Sequence, residues 1–564
     1  MNQFRNLSDA LEAAPADKPF IILWVDEDER DTVTFGQFRE HAGAHADLLC
    51  QHGATAGDRI VVVMPQGILA MTTFVGAMML GAVPAFLAYP NFKIDAAKYR
   101  SGLRGVTANL GAKLVLIDEG FPDEMLEHIS LENDSTLLRI ADEQRRNRAP
   151  IRSREIPGDC LAFIQHSAGT TGLQKGVALT HAAVLRQIGH LVDALRIDST
   201  KDSIYSWLPL YHDMGLIASF MLPMVCHLPV VMQSPLDWVM YPGSLLEIVS
   251  EYKCTLSWQP NFAFQFVPRR TPPDRWARYD LSSLRALINC SEPVRTSSMD
   301  EFERAFSAIG LNASALQSSY AMAENVFAAT QSSLDHEAGP SRVWADGQEF
   351  RSQHRVVPVA EGTPGAVSLT SSGRLLPNHE IRIVSDSNET LSDGKVGEIL
   401  LTSDCLFQGY YNRPDLTAEA IVEGWYRTGD LGFWLDDELY VVGRKKDLLI
   451  VGGENLYPQD IEEIAAAHPA IHDGRSVALG IYDNTLGTEE IVVVAEAERE
   501  ESLAKSEEIG HEIRNRIVAG LGVAVRRIFL KPPKWIVKST AGKAARAATR
   551  EKLLREHPEL SEQS

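Results

Sequence analysis

Through its first three hundred residues the chain repeats one figure: a short apolar run, then a longer segment with helical character. The runs Ile60-Val-Val-Val63, Val83-Pro-Ala-Phe-Leu87, Lys113-Leu-Val-Leu-Ile117 and Leu284-Arg-Ala-Leu-Ile288 are too short for buried helices and are rich in branched residues. Strands that alternate with helices predict an α/β fold, with layered and mostly parallel sheets. Past Gly365 the texture changes to Val- and Ile-bearing runs separated by Gly, Asp and Asn turns, such as Glu380-Ile-Arg-Ile-Val384 and Val396-Gly-Glu-Ile-Leu400. That change predicts a β-rich subdomain at about 365–443, closing a large N-terminal part of residues 1–443. Beyond it a helix from Asp460, strands at 476–481 and 490–495 and a helix at 506–519 predict a small mobile α+β lid, residues 447–564. The polar segment Gly443-Arg-Lys-Lys-Asp447 joins the two, and 444–446 is the expected hinge, with Lys446 as its pivot.

A chain of 564 residues, 45% of them hydrophobic, has enough apolar side chains for several cores. Its formal net charge of -21 argues against a nucleic-acid partner, which demands a positive field. The uncharged stretch Ile68 to Tyr89 is punctuated by Gly76, Gly81 and Pro84, and reads as a buried helix followed by a strand rather than as a membrane span. Six scattered cysteines form no CxxC pair and have no histidine at zinc-ligand spacing, and the N-terminus lacks the basic start and apolar centre of a signal peptide. Both features predict a reduced, cytoplasmic protein. Residues 526–555 carry ten Lys or Arg against the single acid Glu551, which is either a solvated face or a face for a polyanion or an acidic protein partner.

The segment His166-Ser-Ala-Gly-Thr-Thr-Gly-Leu-Gln-Lys-Gly176 lies between a strand-like run and a helix-like one. A loop of small and hydroxyl residues wraps phosphate with backbone N–H groups, and Lys175 adds charge, although the same composition also makes plain surface turns. It is not a Walker A loop, since Lys175 is followed by Gly176.

With five further segments in order, the loop resembles the signature of the adenylate-forming superfamily of acyl-CoA synthetases, luciferases and peptide-synthetase adenylation domains. Those segments are Leu208-Pro-Leu-Tyr-His-Asp-Met-Gly215, Ser319-Tyr-Ala-Met-Ala-Glu324, Tyr426-Arg-Thr-Gly-Asp430, Gly443-Arg-Lys-Lys-Asp447 and Ser539-Thr-Ala-Gly-Lys543, and Gly397-Glu-Ile also matches. The resemblance implies ATP and Mg²⁺ as cofactors. It assigns phosphate binding to Ser167, Gly169, Thr170, Thr171, Gly172 and Lys175, the purine slot to Ser291, Glu292, Pro293 and Tyr320, and cofactor contacts to Ser319 and Ala321. Glu324 is implied as the metal carboxylate, Asp430 as the acceptor of the ribose hydroxyls, and Arg444 as a neighbour of ribose or phosphate. Lys543 is the implied catalytic cation, which offsets charge as a carboxylate attacks phosphorus. His212 is implied at the mouth of the carboxylate pocket, in a positioning role. Trp207, Met214, Trp258, Phe262 and Phe264 either line an acyl tunnel or pack the core.

Within that superfamily Trp207-Leu-Pro-Leu-Tyr-His-Asp-Met-Gly-Leu-Ile217, Pro260-Asn-Phe-Ala-Phe264 and Ala323 are similar to the fatty acyl-AMP ligases. So is the long stretch between Glu324 and Gly397, whose surplus at 333–363 sits where those ligases carry an insertion thought to restrain the lid. Gln174 and Ala321 depart from the common pattern. The resemblance implies a fatty acid activated to acyl-AMP and then passed to the phosphopantetheine of an acyl carrier protein, with CoA as the alternative acceptor. The rival readings are a silent nucleotide- or acyl-binding homologue and a generic ATPase.

Overall fold

The computed structural model describes residues 4–560 except 27–28, 91–95, 132–133, 142–148, 167–173, 452–453, 484–487 and 539–543. The phosphate-loop candidates Ser167, Gly169, Thr170, Thr171 and Gly172, and the catalytic candidate Lys543, therefore lie outside the described residues.

The α/β expectation holds. A nine-stranded sheet runs in the order 374–375, 328–331, 316–321, 286–289, 256–259, 204–206, 230–233, 19–24 and 30–34. The six strands from 316–321 to 19–24 pair in parallel, and the edges are antiparallel. A second sheet joins 83–86, 59–63, 114–118 and 136–140, all parallel. These central strands are buried on both faces, so they read as continuous apolar runs without alternation. A five-stranded antiparallel sheet begins at His379 and ends at Arg444, where the β-rich texture is found.

The stretch from Ile68 is a helix, Ile68–Met79, followed by the strand Val83–Phe86, and no described helix is long and apolar enough to cross a membrane. Gly76 does not break that helix. A Cβ there would lie 2.6 Å from the carbonyl oxygen of Ala42, so the glycine lets this helix press against Phe35–Gln51. The partner helix opens on a capping box in which Thr34 and Gln37 satisfy each other's backbone N–H groups. Its Phe35 and Phe38 pack with Phe20, which also stacks on Phe220.

Residues after 448 build two apolar cores of their own on the sheet 471–483, 488–497 and 525–531. They meet the rest of the chain through Tyr457, buried among body residues such as Phe350 and Phe433, and through polar groups. Arg295 pairs with Asp460 at 2.7 Å and Glu463 at 3.5 Å, Arg269 with Asp473 at 2.6 Å, and Ser297 Oγ donates to Glu463 at 2.5 Å. The surplus stretch 333–363 adds a short helix, Gly347–Gln353, whose Phe350 ring lies 5.4 Å from that of Tyr457, and His354 just beyond it touches Asn455. Much of the basic face at 526–555 is neutralised internally. Lys531 bonds Glu556 at 2.8 Å, Arg526 pairs with Glu490, Arg527 with Glu559, and Arg546 with Glu462 and Asp447.

Candidate active site

The strand Leu316–Ala321 ends at the carboxyl edge of the large sheet, where ligands of open α/β sheets bind. The chain then makes one tight turn, Ala323–Asn325, and Val326 follows at φ 61° and ψ -54°. The N–H of Phe327 closes that turn on Asn325 O at 2.6 Å. A β-branched residue in this conformation costs roughly 1–3 kcal/mol, so the surroundings must impose it. Asn325 does so from a fully buried position. Its Nδ2 donates to Ala328 O at 2.8 Å and to His379 Nε2 at 2.9 Å, and its Oδ1 accepts from Ser403 Oγ at 2.5 Å.

The outcome is a fixed direction for Glu324. Its carbonyl accepts the N–H of Phe407 at 2.9 Å, and its Oε1 accepts the hydroxyl of Tyr410 at 2.8 Å. Burial first, and the Glu324 carboxylate second, hold the Tyr410 phenol well above its ordinary pKa, so it remains a donor. The ring of Tyr410 also lies 4.5 Å under the ammonium of Lys175, a cation–π contact. One tyrosine thus joins the end of the Ser/Thr/Gly loop to the candidate metal carboxylate. Sequence reasoning missed Tyr410. The signal would have been an aromatic in Gln408-Gly-Tyr-Tyr-Asn412, but no spacing rule links that segment to residue 324.

Tyr320, one residue before the strand's end, is buried, and its hydroxyl donates to Asp430 Oδ2 at 2.7 Å. Burial, then the Asp430 charge, pushes this phenol far above its usual range. Asp430 lies on the long strand Trp425–Leu435, where it stands opposite Arg444 in the antiparallel register. The Arg444 Nε is 3.4 Å from Asp430 Oδ1, and the Asp430 N–H donates to Thr428 Oγ1 at 3.0 Å. An aromatic face, a carboxylate and a guanidinium thus adjoin, as a base, a vicinal diol and an anion would require.

Tyr320, Asp430 and Arg444, but not Glu324, Tyr410 or Lys175, line a cleft of about 1680 Å³ together with Trp207, His212, Met214, Phe262, Ser291, Glu292, Pro293, Ser319, Ala321 and Lys446. Trp258 and Phe264 are core residues instead, 0% and 1% exposed, and do not line it. The strand Leu256–Gln259 is buried on both faces, and Phe264 packs edge-on to Phe302 on the neighbouring helix. His212 Nδ1 lies 2.7 Å from Asp213 Oδ1, at the start of a π-helix, Met214–Met221. Gly215 permits this turn, because a Cβ there would sit 2.2 Å from the Pro209 carbonyl oxygen. Ser291 holds φ 67° at the end of the strand Ala286–Asn289 and its flank, and Glu292 accepts the Phe262 N–H at 3.1 Å. Beyond His212 the wall is apolar: Trp207 stacks on Trp238 at 3.7 Å, Phe262 meets both edge-on, and Leu236 and Met240 stand exposed at the rim.

Lys446 extends into the same cleft, where loss of solvent and the adjoining Arg444 charge lower its pKa, although much of the residue stays exposed. Its neighbours are tied to opposite sides. Lys445 bonds Asp386 and Glu398 of the body at 2.8 and 3.1 Å, while Asp447 faces Arg546 at 3.4 Å. Val537, Lys538 and Ala544 line the cleft on either side of the undescribed residues 539–543.

The AMP-binding enzyme family profile matches residues 7–411. A medium-chain fatty acid–[acyl-carrier-protein] ligase, JamA of Moorena producens, is 30% identical, over 96% of this chain and 93% of its own length. The long-chain fatty acid–AMP ligase FadD26 of Mycobacterium marinum is 29% identical over 96% and 95%. Among solved structures, one from structural and functional studies of fatty acyl-adenylate ligases of E. coli and L. pneumophila superposes with a TM-score of 0.90 at 26% identity, covering 99% of this chain and 98% of that one.

Proposed function

We propose, for a chain that belongs to the family of AMP-binding enzymes, an ATP-dependent ligase that joins a fatty acid to AMP, releases pyrophosphate and then passes the acyl group to a carrier-protein thiol. The observation that carries this reading is the single cleft in which Tyr320, Asp430 and Arg444 adjoin a wall of Trp207, Phe262 and exposed Leu236 and Met240. Polar groups suited to a nucleotide and an apolar route suited to an acyl chain meet at His212. Similarity to JamA favours the carrier-protein acceptor over CoA. Six free cysteines suit a reducing cytosol.

In this mechanism the Tyr320 ring stacks on adenine, Asp430 accepts the ribose hydroxyls, and Arg444 faces the phosphates. His212, held by Asp213, positions the carboxylate for attack on the α-phosphorus, and Lys543 offsets the charge that develops there. The half-buried carboxylate of Glu324, set by Tyr410, supplies the hard oxygen donor that Mg²⁺ requires. That cation, when bound, neutralises phosphate charge. After pyrophosphate leaves, the part beyond Asp447 turns about Lys446 and opens the adenylate to the thiol.

The test is pyrophosphate release with a panel of fatty acids, with and without carrier protein or CoA. Acid-dependent release is expected, with acyl transfer to the carrier protein. Release that ignores the acid, or hydrolysis to ADP, would overturn the reading. Lys543→Ala is expected to slow the first step by about a hundredfold to a thousandfold.

A further inference from the structure

Outside the nucleotide cleft, the helix His181–Leu195 and the loop after the strand Gly397–Ser403 bring together three side chains of metal-binding type. They are His190 and Cys405, both buried, and Asp404, half-buried. Spacing along the chain gives no hint of it, because 214 residues separate His190 from Asp404.

The atoms converge on one point. His190 Nε2 lies 3.0 Å from Asp404 Oδ1, Cys405 Sγ lies 3.2 Å from the same oxygen, and the three ligand atoms all fall within 4.8 Å of one another. Tetrahedral coordination at bond lengths of about 2.0–2.3 Å separates neighbouring ligands by about 3.3–3.8 Å, so small side-chain shifts would suffice. The other carboxylate oxygen is already held. Asn378 Nδ2 donates to Asp404 Oδ2 at 3.0 Å, and Arg186, 3.9 Å from that oxygen, donates its Nε to the Asp404 carbonyl at 2.7 Å. Those contacts turn Oδ1 toward the histidine and the cysteine, the way outer partners orient metal ligands.

We infer that His190, Asp404 and Cys405 form a binding site for one divalent cation of the zinc class, with a water in the fourth position. An imidazole and a thiolate select a borderline-soft ion and distinguish this site from an all-oxygen Mg²⁺ site. On binding, the Cys405 thiol proton leaves to solvent and the imidazole exchanges its proton from Nε2, where it now faces Asp404 Oδ1, to Nδ1, so that carboxylate and thiolate balance the ion's two charges. The ion would pin the helix to the loop that leads to Phe407 and Tyr410. That loop is already linked to the Glu324 turn, through the Cys405 N–H on Ser403 Oγ at 3.0 Å and the Ser403 hydroxyl on Asn325.

The experiment is titration of the full chain, stripped of metal by chelator, with Co²⁺ alone. A near-ultraviolet thiolate-to-cobalt charge-transfer band is expected to saturate at one equivalent and to be abolished by Zn²⁺. Cys405→Ser should remove the band, His190→Ala should weaken Co²⁺ binding at least about tenfold, and the double variant Cys50→Ser/Cys160→Ser should leave it intact. No band in the unaltered protein, or a band that survives Cys405→Ser, would overturn the site. So would an equal rise in melting temperature on adding equimolar Zn²⁺ to the unaltered protein and to His190→Ala.

Discussion

The cleft and the polar part of the contact between the body and the residues beyond 448 are built by different means. Tyr320 and Asp430 at the cleft, and Glu324 in the turn beside it, are held by hydrogen bonds of 2.7–2.9 Å among buried or half-buried groups. Across the body contact, beside the buried Tyr457, the polar groups are Arg295, Arg269 and Ser297 against Asp460, Glu463 and Asp473, with carboxylates 23–41% exposed. Fully exposed ion pairs contribute about 0–1 kcal/mol each and weaken with salt, and half-buried ones such as Arg295–Asp460 contribute more and are screened less. The difference bears on the proposed lid motion: a buried hydrogen-bonded network resists displacement, whereas a contact with more solvent-reached ion pairs is the one that such a motion would break and re-form.

Three substitutions would break or sharpen that contrast. Glu324→Gln keeps the shape and removes the charge, and should lower the adenylation rate by about a hundredfold or more, with a raised Mg²⁺ requirement. Pyrophosphate release across a Mg²⁺ series reads both. Tyr410→Phe keeps the ring under Lys175 and deletes the bond to Oε1; a fall of about tenfold in kcat, with the KM for the fatty acid nearly unchanged, is expected from losing an oriented partner. A change confined to KM would deny that Tyr410 positions the carboxylate. Arg295→Ala should cost the least. Thermal stability should fall by about 1–2 kcal/mol, because the pair is half-buried, and part of that effect should be lost in high salt, as differential scanning calorimetry at two ionic strengths would show. A large, salt-independent loss would mean that the contact is structural.

Much of the architecture was legible from pattern. Runs such as Ile60–Val63 lie within the strand Arg59–Val63, and Glu380–Val384 lies within His379–Val384, because buried parallel strands and alternating antiparallel ones leave different marks. The run at Leu284 starts two residues early, since the strand is Ala286–Asn289 and its register follows the neighbouring strands. Trp258 and Phe264 were open to either an acyl wall or a core. Hydrophobicity alone does not say which face of a buried strand or helix meets a cleft, and both turn inward. Tyr410 carried no signal, because its role arises from a contact across 86 residues.

The sequence by itself determined the alternation of elements, the ordered motifs and the chemical types available to the site, since propensity, periodicity and motif chemistry are local properties. Tertiary structure alone decided which distant groups became neighbours: Tyr320 with Asp430, Lys175 with Glu324 through one tyrosine, His190 with Asp404 and Cys405. Those pairings depend on sheet order and on the burial that fixes side-chain direction. Neither is written in the spacing of residues along the chain.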